Sequence, residues 1–322
     1  MARRNTQRES NPFPYSDSNK RYYTYDYYLK STYGVKCAKI TLDAGFSCPN
    51  IDGRCGRGGC IYCSPRGSGD FAPSALLSIA EQFEIQRERV EKKWQGAKFI
   101  PYLQAHTNTY APIADLRRVY GAALALPDSV ALHIATRADC LSEEVVALLA
   151  EVAEKTDLTV ELGLQSVKDE TALRINRCHT YGDFLVGFYR LREVSDKIRI
   201  AVHLINGLPG EDKEDMLHSA REMARIHPDE VKLHLLHVLR GTPLAALYER
   251  GEYTPMTEEA YIETVVEQLT LLPQDTVIGR LTGDGPEALL LAPLWSKRKT
   301  AVLNEIDKML FCKNLWQGKC AK

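Results

Sequence analysis

The sequence predicts an α/β protein in which helices cover a parallel sheet. From residue 39 onward, short β-branched or aliphatic runs alternate with longer amphipathic runs, which is the pattern of repeated βαβ units. Successive runs start mostly about 30 residues apart, the length of one such unit. The sheet either curves toward a barrel or opens into a doubly wound sheet. In both architectures, chemistry takes place at the carboxyl ends of the strands.

Six strands are predicted, over residues 39–42, 99–104, 130–135, 159–164, 198–204 and 230–236. The first predicted helix starts from a Ser74 cap and stops at Gly96. The helices between later strands cover residues 113–126, a segment after Ser142, residues 181–194 and residues 213–226. Beyond residue 236 the pattern predicts helices over 242–250, 257–272 and 296–311, with a short strand at 276–278.

The composition is that of an ordinary globular protein of 322 residues, with 44% hydrophobic and 26% charged residues. The sequence has neither the roughly 18 consecutive apolar residues of a membrane helix nor an apolar signal segment in residues 1–20. We therefore expect a cytoplasmic protein without a membrane partner. Nine cysteines without an export signal favour metal binding or catalysis over a disulfide framework.

The charged residues are unevenly distributed along the chain. Residues 1–66 carry 11 Lys/Arg against 5 Asp/Glu, and residues 296–322 carry 7 against 2, although the net charge is −1. Basic ends suggest an anionic partner such as nucleic acid, but solvated surface lysines produce the same count. Residues 20–33 add six tyrosines beside three basic residues, a mixture that could stack on bases. Packing of an aromatic edge explains these tyrosines better.

A dense cysteine segment follows the first predicted strand. Cys48, Cys55, Cys60 and Cys63 fall within 16 residues, and residues 44–70 include seven glycines. Thiolates are the usual ligands of iron–sulfur clusters, and glycines let the backbone turn tightly around a bulky inorganic core. A structural zinc site usually needs a second ligand pair, which the sequence lacks. A plant-type 2Fe–2S centre at Cys55, Cys60 and Cys63 is a further alternative, but such carriers are small and have another fold.

These residues are similar to those of a known family. The segment 39–64, with KITLDAGFSCPN and GGCIYCS, resembles the bacterial YhcC-type radical S-adenosylmethionine (SAM) proteins, relatives of the catalytic subunit of Elongator. The resemblance extends over most of the chain after residue 20. It includes the segments QAHTNTYAP, HIATRADCL, ELGLQS, RINRCHT, HLINGLPGE, LHLLHVLRGTPL, RLTGD and PLWSKRKTAVLNEID.

The resemblance implies a 4Fe–4S cluster whose ligands are Cys48, Cys60 and Cys63. One iron then stays open for SAM, which is cleaved reductively to a 5′-deoxyadenosyl radical. Cys55 departs from the family pattern, so it is either a bystander thiol or an additional ligand. Cys37, Cys140, Cys178, Cys312 and Cys320 are expected to be buried thiols.

The family fold implied by the resemblance is a partial (β/α)6 TIM-like barrel with extra C-terminal helices. The barrel is expected over residues 20–240, with an extension over 241–322 packed on it. Residues 1–19 lack an apolar period and are expected to form a disordered or loosely attached tail.

The resemblance also implies SAM contacts at the strand ends, and the candidates are Tyr62, Thr107, Asn108, Glu161, Gln165 and Leu239. Tyr62 resembles an aromatic residue beside the adenine, while Thr107 and Asn108 follow the strand that binds the methionyl amine in related proteins. Glu161 is alternatively a buried polar group within the barrel, and Arg137 and Asp139 are expected to be able to pair. The histidines at 203, 234 and 237 are expected to be satisfied groups of the barrel wall.

The function that these observations support is that of a radical SAM enzyme with a reductant such as flavodoxin or ferredoxin. Its catalytic residues are not assigned. The relation to Elongator, the basic ends and the tyrosines suggest tRNA, in particular a wobble uridine. The pI of about 6.7 leaves a small-molecule or protein substrate equally open. The alternatives of another class are a non-catalytic electron-transfer protein with four cluster ligands and an RNA-binding protein whose cluster is structural.

Overall fold

The computed structural model describes residues 11–283 and 285–321. Its main feature is a curled, half-barrel sheet of seven parallel strands, flanked by helices. The strands are neighbours in chain order with no reversal, which identifies a barrel-type sheet and excludes the doubly wound alternative. The predicted α/β class and the partial barrel with extra C-terminal helices are confirmed.

The strands are β1 Cys37–Leu42, β2 Lys98–Leu103, β3 Ala131–Thr136, β4 Asp157–Gln165, β5 Ile198–Asn206, β6 Glu230–Leu235, β7 Val238–Leu239, β8 Val277–Arg280 and β9 Leu290–Ala292. The half-barrel has the order β1-β2-β3-β4-β5-β6-β8, so the predicted short strand near residue 276 becomes its seventh member. β7 and β9 form a separate antiparallel ribbon. With two and three residues, they are too short to produce a periodic signal.

The helices are α1 Tyr25–Tyr33, α2 Ile79–Lys93, α3 Ile113–Leu124, α4 Glu143–Ala153, α5 Asp169–Arg174, α6 Tyr181–Val194, α7 Lys213–Ile226, α8 Pro243–Glu249, α9 Glu258–Leu271 and α10 Lys299–Cys312. The predicted Ser74 cap is wrong. Ser78 caps α2, because its hydroxyl accepts from the Glu81 amide at 3.2 Å and the Glu81 carboxylate accepts from the Ser78 amide at 2.8 Å.

The two faces of the sheet have opposite character. Outward-facing aliphatic residues such as Leu158, Val160 and Leu162 are completely buried against the surrounding helices. The inward-facing residues of the same strands are polar or charged over much of the barrel. Since burial of apolar side chains is the main favourable contribution to folding, the outer face holds the sheet and its helices together.

α1 lies across the gap between the two edge strands, β1 and β8. The Tyr23 carbonyl accepts from the Ile278 amide at 2.8 Å, and Tyr25 places its hydroxyl 3.3 Å from His133 Nε2. The tyrosine-rich segment therefore packs against the barrel, as expected. Within the expected tail, Phe13 is buried and Tyr15 stacks on Tyr23 with ring centroids 4.8 Å apart, whereas residues 1–10 lie outside the described residues.

A single carboxylate occupies the middle of the barrel. Glu161 on β4 is completely buried, and its hydrogen-bond partners come from five other strands. These partners are Lys39 Nζ at 2.8 Å, Tyr102 Oη at 2.7 Å, His133 Nδ1 at 2.7 Å, His203 Nε2 at 2.8 Å and Lys232 Nζ. Burial alone would raise the pKa of Glu161, but the charges of Lys232 and Lys39 hold it well below its usual value.

The two histidines of this network are held neutral. Burial, reinforced by the charge of Lys39, lowers the pKa of His133 to about 3. Burial and the charge of Lys232 lower the pKa of His203 to about 4. Glu161 opposes both shifts but does not reverse them.

Acid is expected to destabilise the protein through His133 and His203. Both protonate near pH 6.5 in the unfolded chain but only near pH 3 to 4 in the folded state. Below pH 6.5 the unfolded chain binds more protons. The free energy of unfolding should therefore fall by on the order of 2 kcal/mol per histidine between pH 7 and pH 5. Urea denaturation at a series of pH values measures this slope.

The pH dependence of the free energy of unfolding can be tested with a matched control on the protein surface. His133→Gln should reduce the slope, whereas His218→Gln, at an exposed position on α7, should not. An identical slope in His133→Gln and the unsubstituted protein would contradict the assignment.

The glycines of α6 allow a second test of packing. A Cβ atom at Gly187 would lie 2.2 Å from the carbonyl oxygen of Ala138, so α6 can approach the turn after β3 only without a side chain there. Gly187→Ala should lower the free energy of unfolding by about 1 to 3 kcal/mol through overpacking. At Gly182 the nearest atom would be 3.5 Å away, and Gly182→Ala should be neutral or stabilising. Urea denaturation distinguishes the two, and equal effects would contradict this packing.

Candidate functional site

A cavity of about 770 Å³ opens at the carboxyl ends of the strands and continues into the barrel. Residues at or just beyond the ends of β2, β3 and β4 contribute to its wall, among them Thr107, Arg137 and Gln165. Glu161 also lines it, and the lining continues to Lys36 and Cys37 at the start of β1. The volume is in the range of small-molecule and cofactor sites, so the cavity can hold a cofactor together with part of a substrate.

The segment between β1 and α2, residues 43–78, carries the cysteines to this cavity. Cys48, Cys60 and Cys63 all line it. Gly58 and Gly59 both have a left-handed backbone, with φ of +82° and +74°, which an L side chain would strain. This pair of glycines reverses the chain immediately before Cys60, and it explains the glycine density of the segment.

Two asparagines hold the cysteine segment in place. Asn50 Nδ2 donates to the Asn176 carbonyl at 2.8 Å and to Cys60 Sγ at 3.4 Å. In return, Asn176 Nδ2 donates to the carbonyl of Gly59 at 2.7 Å and to that of Arg57 at 2.9 Å. The loop between α5 and α6 therefore fixes the position of Cys60.

The three thiols lie in one electrostatic environment. A hydrogen bond from Cys63, helped by Arg177 and Asn50, lowers the pKa of Cys60 well below its usual value against the effect of burial. Burial raises the pKa of Cys48, whose sulfur lies 3.0 Å from the Thr107 hydroxyl oxygen. Cys48 and Cys60 thus each have a polar partner, Thr107 and Asn50, that can continue to bond a thiolate sulfur.

Two buried arginines line the same end of the cavity. Arg137 is 2% exposed and binds Asp139 through Nε at 2.9 Å and Nη2 at 2.8 Å, as expected from the sequence. Arg177 is 6% exposed and donates through Nη2 to the Gly163 carbonyl. Within residues 11–283 and 285–321, Arg137 Nη1 and Arg177 Nε are buried without a hydrogen-bond partner.

This donor set fits a thiolate-ligated iron–sulfur cluster. Buried N–H groups normally find an acceptor, so two that lack one next to three cysteines indicate a missing anionic group. Cluster sulfurs accept hydrogen bonds, and their net charge is balanced by nearby cations. Cys48, Cys60 and Cys63 would hold the cluster, and Arg137 and Arg177 would compensate its charge.

The predicted SAM contacts separate into two groups. Tyr62, Thr107, Glu161, Gln165 and Leu239 line the cavity together with the three cysteines. Gln165 follows a β-bulge in β4 and has a left-handed φ of +76°, a strained conformation of the kind that occurs at functional sites.

Asn108 and Glu161 are engaged by the protein itself. Asn108 is completely buried, and its Nδ2 donates to the carbonyls of Leu103, Ala105 and Ala135 at 3.0 to 3.1 Å. It joins the ends of β2 and β3 and does not line the cavity. Both carboxylate oxygens of Glu161 already accept from barrel residues, which agrees with the alternative interpretation of Glu161 as a buried polar group.

Cys55 lies apart from the three cavity cysteines. It is exposed, and its thiol is in hydrogen-bond contact with Cys178, whose sulfur would be 2.6 Å from a Cβ atom at Gly56. This position agrees with a bystander thiol. Of the five cysteines expected to be buried, Cys37 is buried, Cys140 and Cys178 are half-buried, and Cys312 and Cys320 are exposed. Spacing along the sequence does not reveal which side chains face solvent.

Sequence reasoning missed Arg177 and treated Arg137 only as an ion-pair partner. The sequence feature that could have indicated their role is their position. Arg137 directly follows β3, and Arg177 lies in the RINRCHT segment. The cavity wall also includes Arg280 at the end of β8, for which no role was predicted.

In the ranges that the structure describes, none of the helices has both the length and the apolar character needed to cross a membrane.

Comparisons with known proteins agree with this site and fold. The family model of the radical SAM superfamily matches residues 50–223, and that of the radical SAM C-terminal domain matches residues 228–311. The protein YtqA of Bacillus subtilis (strain 168) is 44% identical over 311 residues, 97% of this chain and 96% of that protein. YhcC of Escherichia coli (strain K12) is 34% identical over 283 residues, 88% and 90% of the two chains.

More distant similarities are partial. A tRNA uridine(34) acetyltransferase of Methanocaldococcus jannaschii is 31% identical over 166 residues, which are 50% of this chain but 30% of that protein. Among solved structures, Elp3 of Methanocaldococcus infernus superposes with a TM-score of 0.65 at 20% identity, covering 88% of this chain and 64% of that one. The latter likeness concerns the fold alone.

The matched superfamily model covers more than half of the chain, and YtqA and YhcC are similar over nearly their whole length. Together with three cysteines at the carboxyl end of a parallel half-barrel, these similarities establish that the chain belongs to the radical SAM superfamily, in the group that includes YhcC and YtqA.

Proposed function

We propose that this protein binds a 4Fe–4S cluster through Cys48, Cys60 and Cys63 and uses it to cleave SAM reductively. The observation that carries the proposal is the position of these three thiols at one end of a cavity, while Cys55 contacts Cys178 instead. Three protein ligands leave one iron of a four-iron cluster without a protein ligand. When bound, the cluster and SAM together supply a 5′-deoxyadenosyl radical for hydrogen abstraction.

The protein's own residues bind and orient these groups. The Thr107 hydroxyl and the Asn50 amide are in place to donate to the sulfurs of Cys48 and Cys60, while Arg137 and Arg177 balance negative charge. Tyr62, Gln165 and Leu239 line the remaining wall and are the candidates for SAM contacts. The barrel encloses this space, which limits the access of water to reactive species.

tRNA is the substrate that we propose to test first, with a wobble uridine as the target. The support is the similarity of half of the chain to tRNA uridine(34) acetyltransferases. That match spans 30% of the acetyltransferase, so a small molecule or a protein side chain is the competing substrate class. A flavodoxin or ferredoxin is the proposed electron donor.

The ligand assignment predicts different outcomes for two cysteine substitutions in the same segment. After anaerobic reconstitution, Cys60→Ser should lose most bound iron and all formation of 5′-deoxyadenosine, because a cluster ligand is removed. Cys55→Ser is the matched control and should retain both. Iron and sulfide analysis with chromatography of 5′-deoxyadenosine measures the outcome. A fully loaded cluster that never cleaves SAM, or loss of the cluster in Cys55→Ser, would favour the closed four-cysteine site.

Substitution of Thr107 distinguishes its two candidate roles. Thr107→Val removes a hydrogen bond to the Cys48 sulfur, and this should lower the reduction potential of the cluster, since such bonds stabilise the more negative, reduced state. Thr107→Ser keeps the hydroxyl and should keep the potential. Redox titration followed by electron paramagnetic resonance measures both. An unchanged potential in Thr107→Val with weakened SAM binding would instead assign Thr107 to the methionyl amine.

A further inference from the structure

The cavity wall formed by β6 and β8 carries a cation that the proposed function does not use. Arg280 is the last residue of β8 and lines the cavity together with Lys232 and His234 of β6. It belongs to the RLTGD segment, one of the similar blocks in the sequence. In the residues that the structure describes, its guanidinium forms no hydrogen bond or ion pair.

A β-bulge turns Arg280 into the barrel. Val231 on β6 pairs with Ile278 on β8, but the next residue, Lys232, pairs with Arg280, so Gly279 is left unpaired. In a regular strand Arg280 would share the face of Ile278, which is part of the hydrophobic core. The extra residue places Arg280 on the face of Lys232 instead. Bulges often re-aim a side chain next to a functional site.

The bulge depends on glycine. A Cβ atom at Gly279 would lie 2.0 Å from Glu230 Oε1 and 2.9 Å from the Lys232 side chain. A larger residue would force the side chains of Glu230 and Lys232 to move. The local sequence is therefore suited to holding a guanidinium at the inner wall of the cavity.

The inner half of the cavity has an excess of positive charge. Lys39 and Lys232 share one carboxylate, that of Glu161. Glu230 is also buried and lies 3.7 Å from Lys232, and neither of its carboxylate oxygens has a hydrogen-bond partner in the described residues. Arg280 is thus the cation of this wall without a carboxylate partner in the described part of the chain. A cation without a carboxylate partner in a cavity wall attracts a ligand of the opposite sign.

His234 adds a second polar group beside Arg280. Its Nε2 is buried and has no hydrogen-bond partner in residues 11–283 and 285–321, contrary to the expectation of a satisfied wall histidine. Burial, with the charges of His203 and Arg280, lowers the pKa of His234 well below its usual value, so the ring is neutral. A neutral imidazole can donate one N–H bond to an anion.

We propose that Arg280 and His234 bind an anionic group of the substrate, a carboxylate or a phosphate. The guanidinium fork suits either group, which it can hold through two parallel hydrogen bonds. The charges that act on the cysteine thiols come from Arg137 and Arg177, so this subsite differs from the end that receives the cluster. The inference rests on the proposed function in one respect, since it assigns the bound anion to the substrate of that site.

Anion titration of the reconstituted protein tests the subsite directly. Inorganic phosphate and acetate are titrated calorimetrically at low ionic strength with SAM present, in the unsubstituted protein, Arg280→Gln, Arg280→Lys and Arg118→Gln. Arg118 is 71% exposed on α3 and serves as the matched control. At least one anion should bind, Arg280→Gln should weaken it about tenfold or more, and Arg280→Lys should restore part of the affinity. Arg118→Gln should have no effect.

The results with phosphate and with acetate distinguish between the possible ligands. Stronger binding of phosphate indicates a phosphorylated substrate, and stronger binding of acetate indicates a carboxylate. Equal affinity in Arg280→Gln and the unsubstituted protein, or no binding of either anion, overturns the proposal. Binding that occurs only without SAM also overturns it, because the site then belongs to the carboxylate of the cofactor. Formation of 5′-deoxyadenosine is assayed separately, so failure of SAM cleavage and failure of this subsite remain distinguishable.

Discussion

The half-barrel is organised around one buried carboxylate, that of Glu161. Its five partners come from β1, β2, β3, β5 and β6, so a single side chain is bonded to almost every strand of the sheet. A buried charge without partners would cost several kcal/mol. The donors from the five other strands supply these partners. The interior is a polar cavity, and the aliphatic core lies outside the sheet.

The cations around the cavity are placed in two groups. The strands deliver Cys48, Cys60 and Cys63 with two arginines to the open end, and the wall of β6 and β8 delivers Arg280 and His234 farther in. Glu161 neutralises part of the charge of Lys39 and Lys232, and these lysines contribute to the structure rather than to an anion site. Within one continuous cavity, Arg137 and Arg177 thus mark the part that receives the cofactor, and Arg280 marks the wall of β6 and β8.

Much of the fold could be predicted because one face of each strand is aliphatic. The alternation of short apolar runs and amphipathic helices located all six longer strands, and resemblance to a family located the cysteines. α1 escaped prediction because its tyrosines have no apolar period; they fill the gap between β1 and β8 instead. The α2 start was misplaced because the apolar residue Leu76, taken as part of the helix, is almost fully exposed.

The polar parts of the site were less accessible to sequence reasoning. An arginine in a sequence does not reveal whether it is buried, so the position of Arg177 in the RINRCHT segment could not by itself show its role. The bulge before Arg280 shifts its side chain to the other face of the sheet, and strict alternation assigns this residue to the wrong side. Asn108 was predicted to contact SAM because it follows a strand, but its side chain instead donates to backbone carbonyls at the ends of β2 and β3.

The bridge between Thr24 and Ile278 affects how the chain matures during synthesis. About 250 residues separate these two positions, yet they must pair before α1 can lie across the gap between β1 and β8. At about 5 to 20 residues per second, the ribosome needs roughly 10 to 50 s to produce the second partner after the first. Throughout that interval the aromatic segment around Tyr23 has no barrel to cover. The nascent chain thus exposes this aromatic segment until β8 has been synthesised, and slower elongation prolongs the exposure.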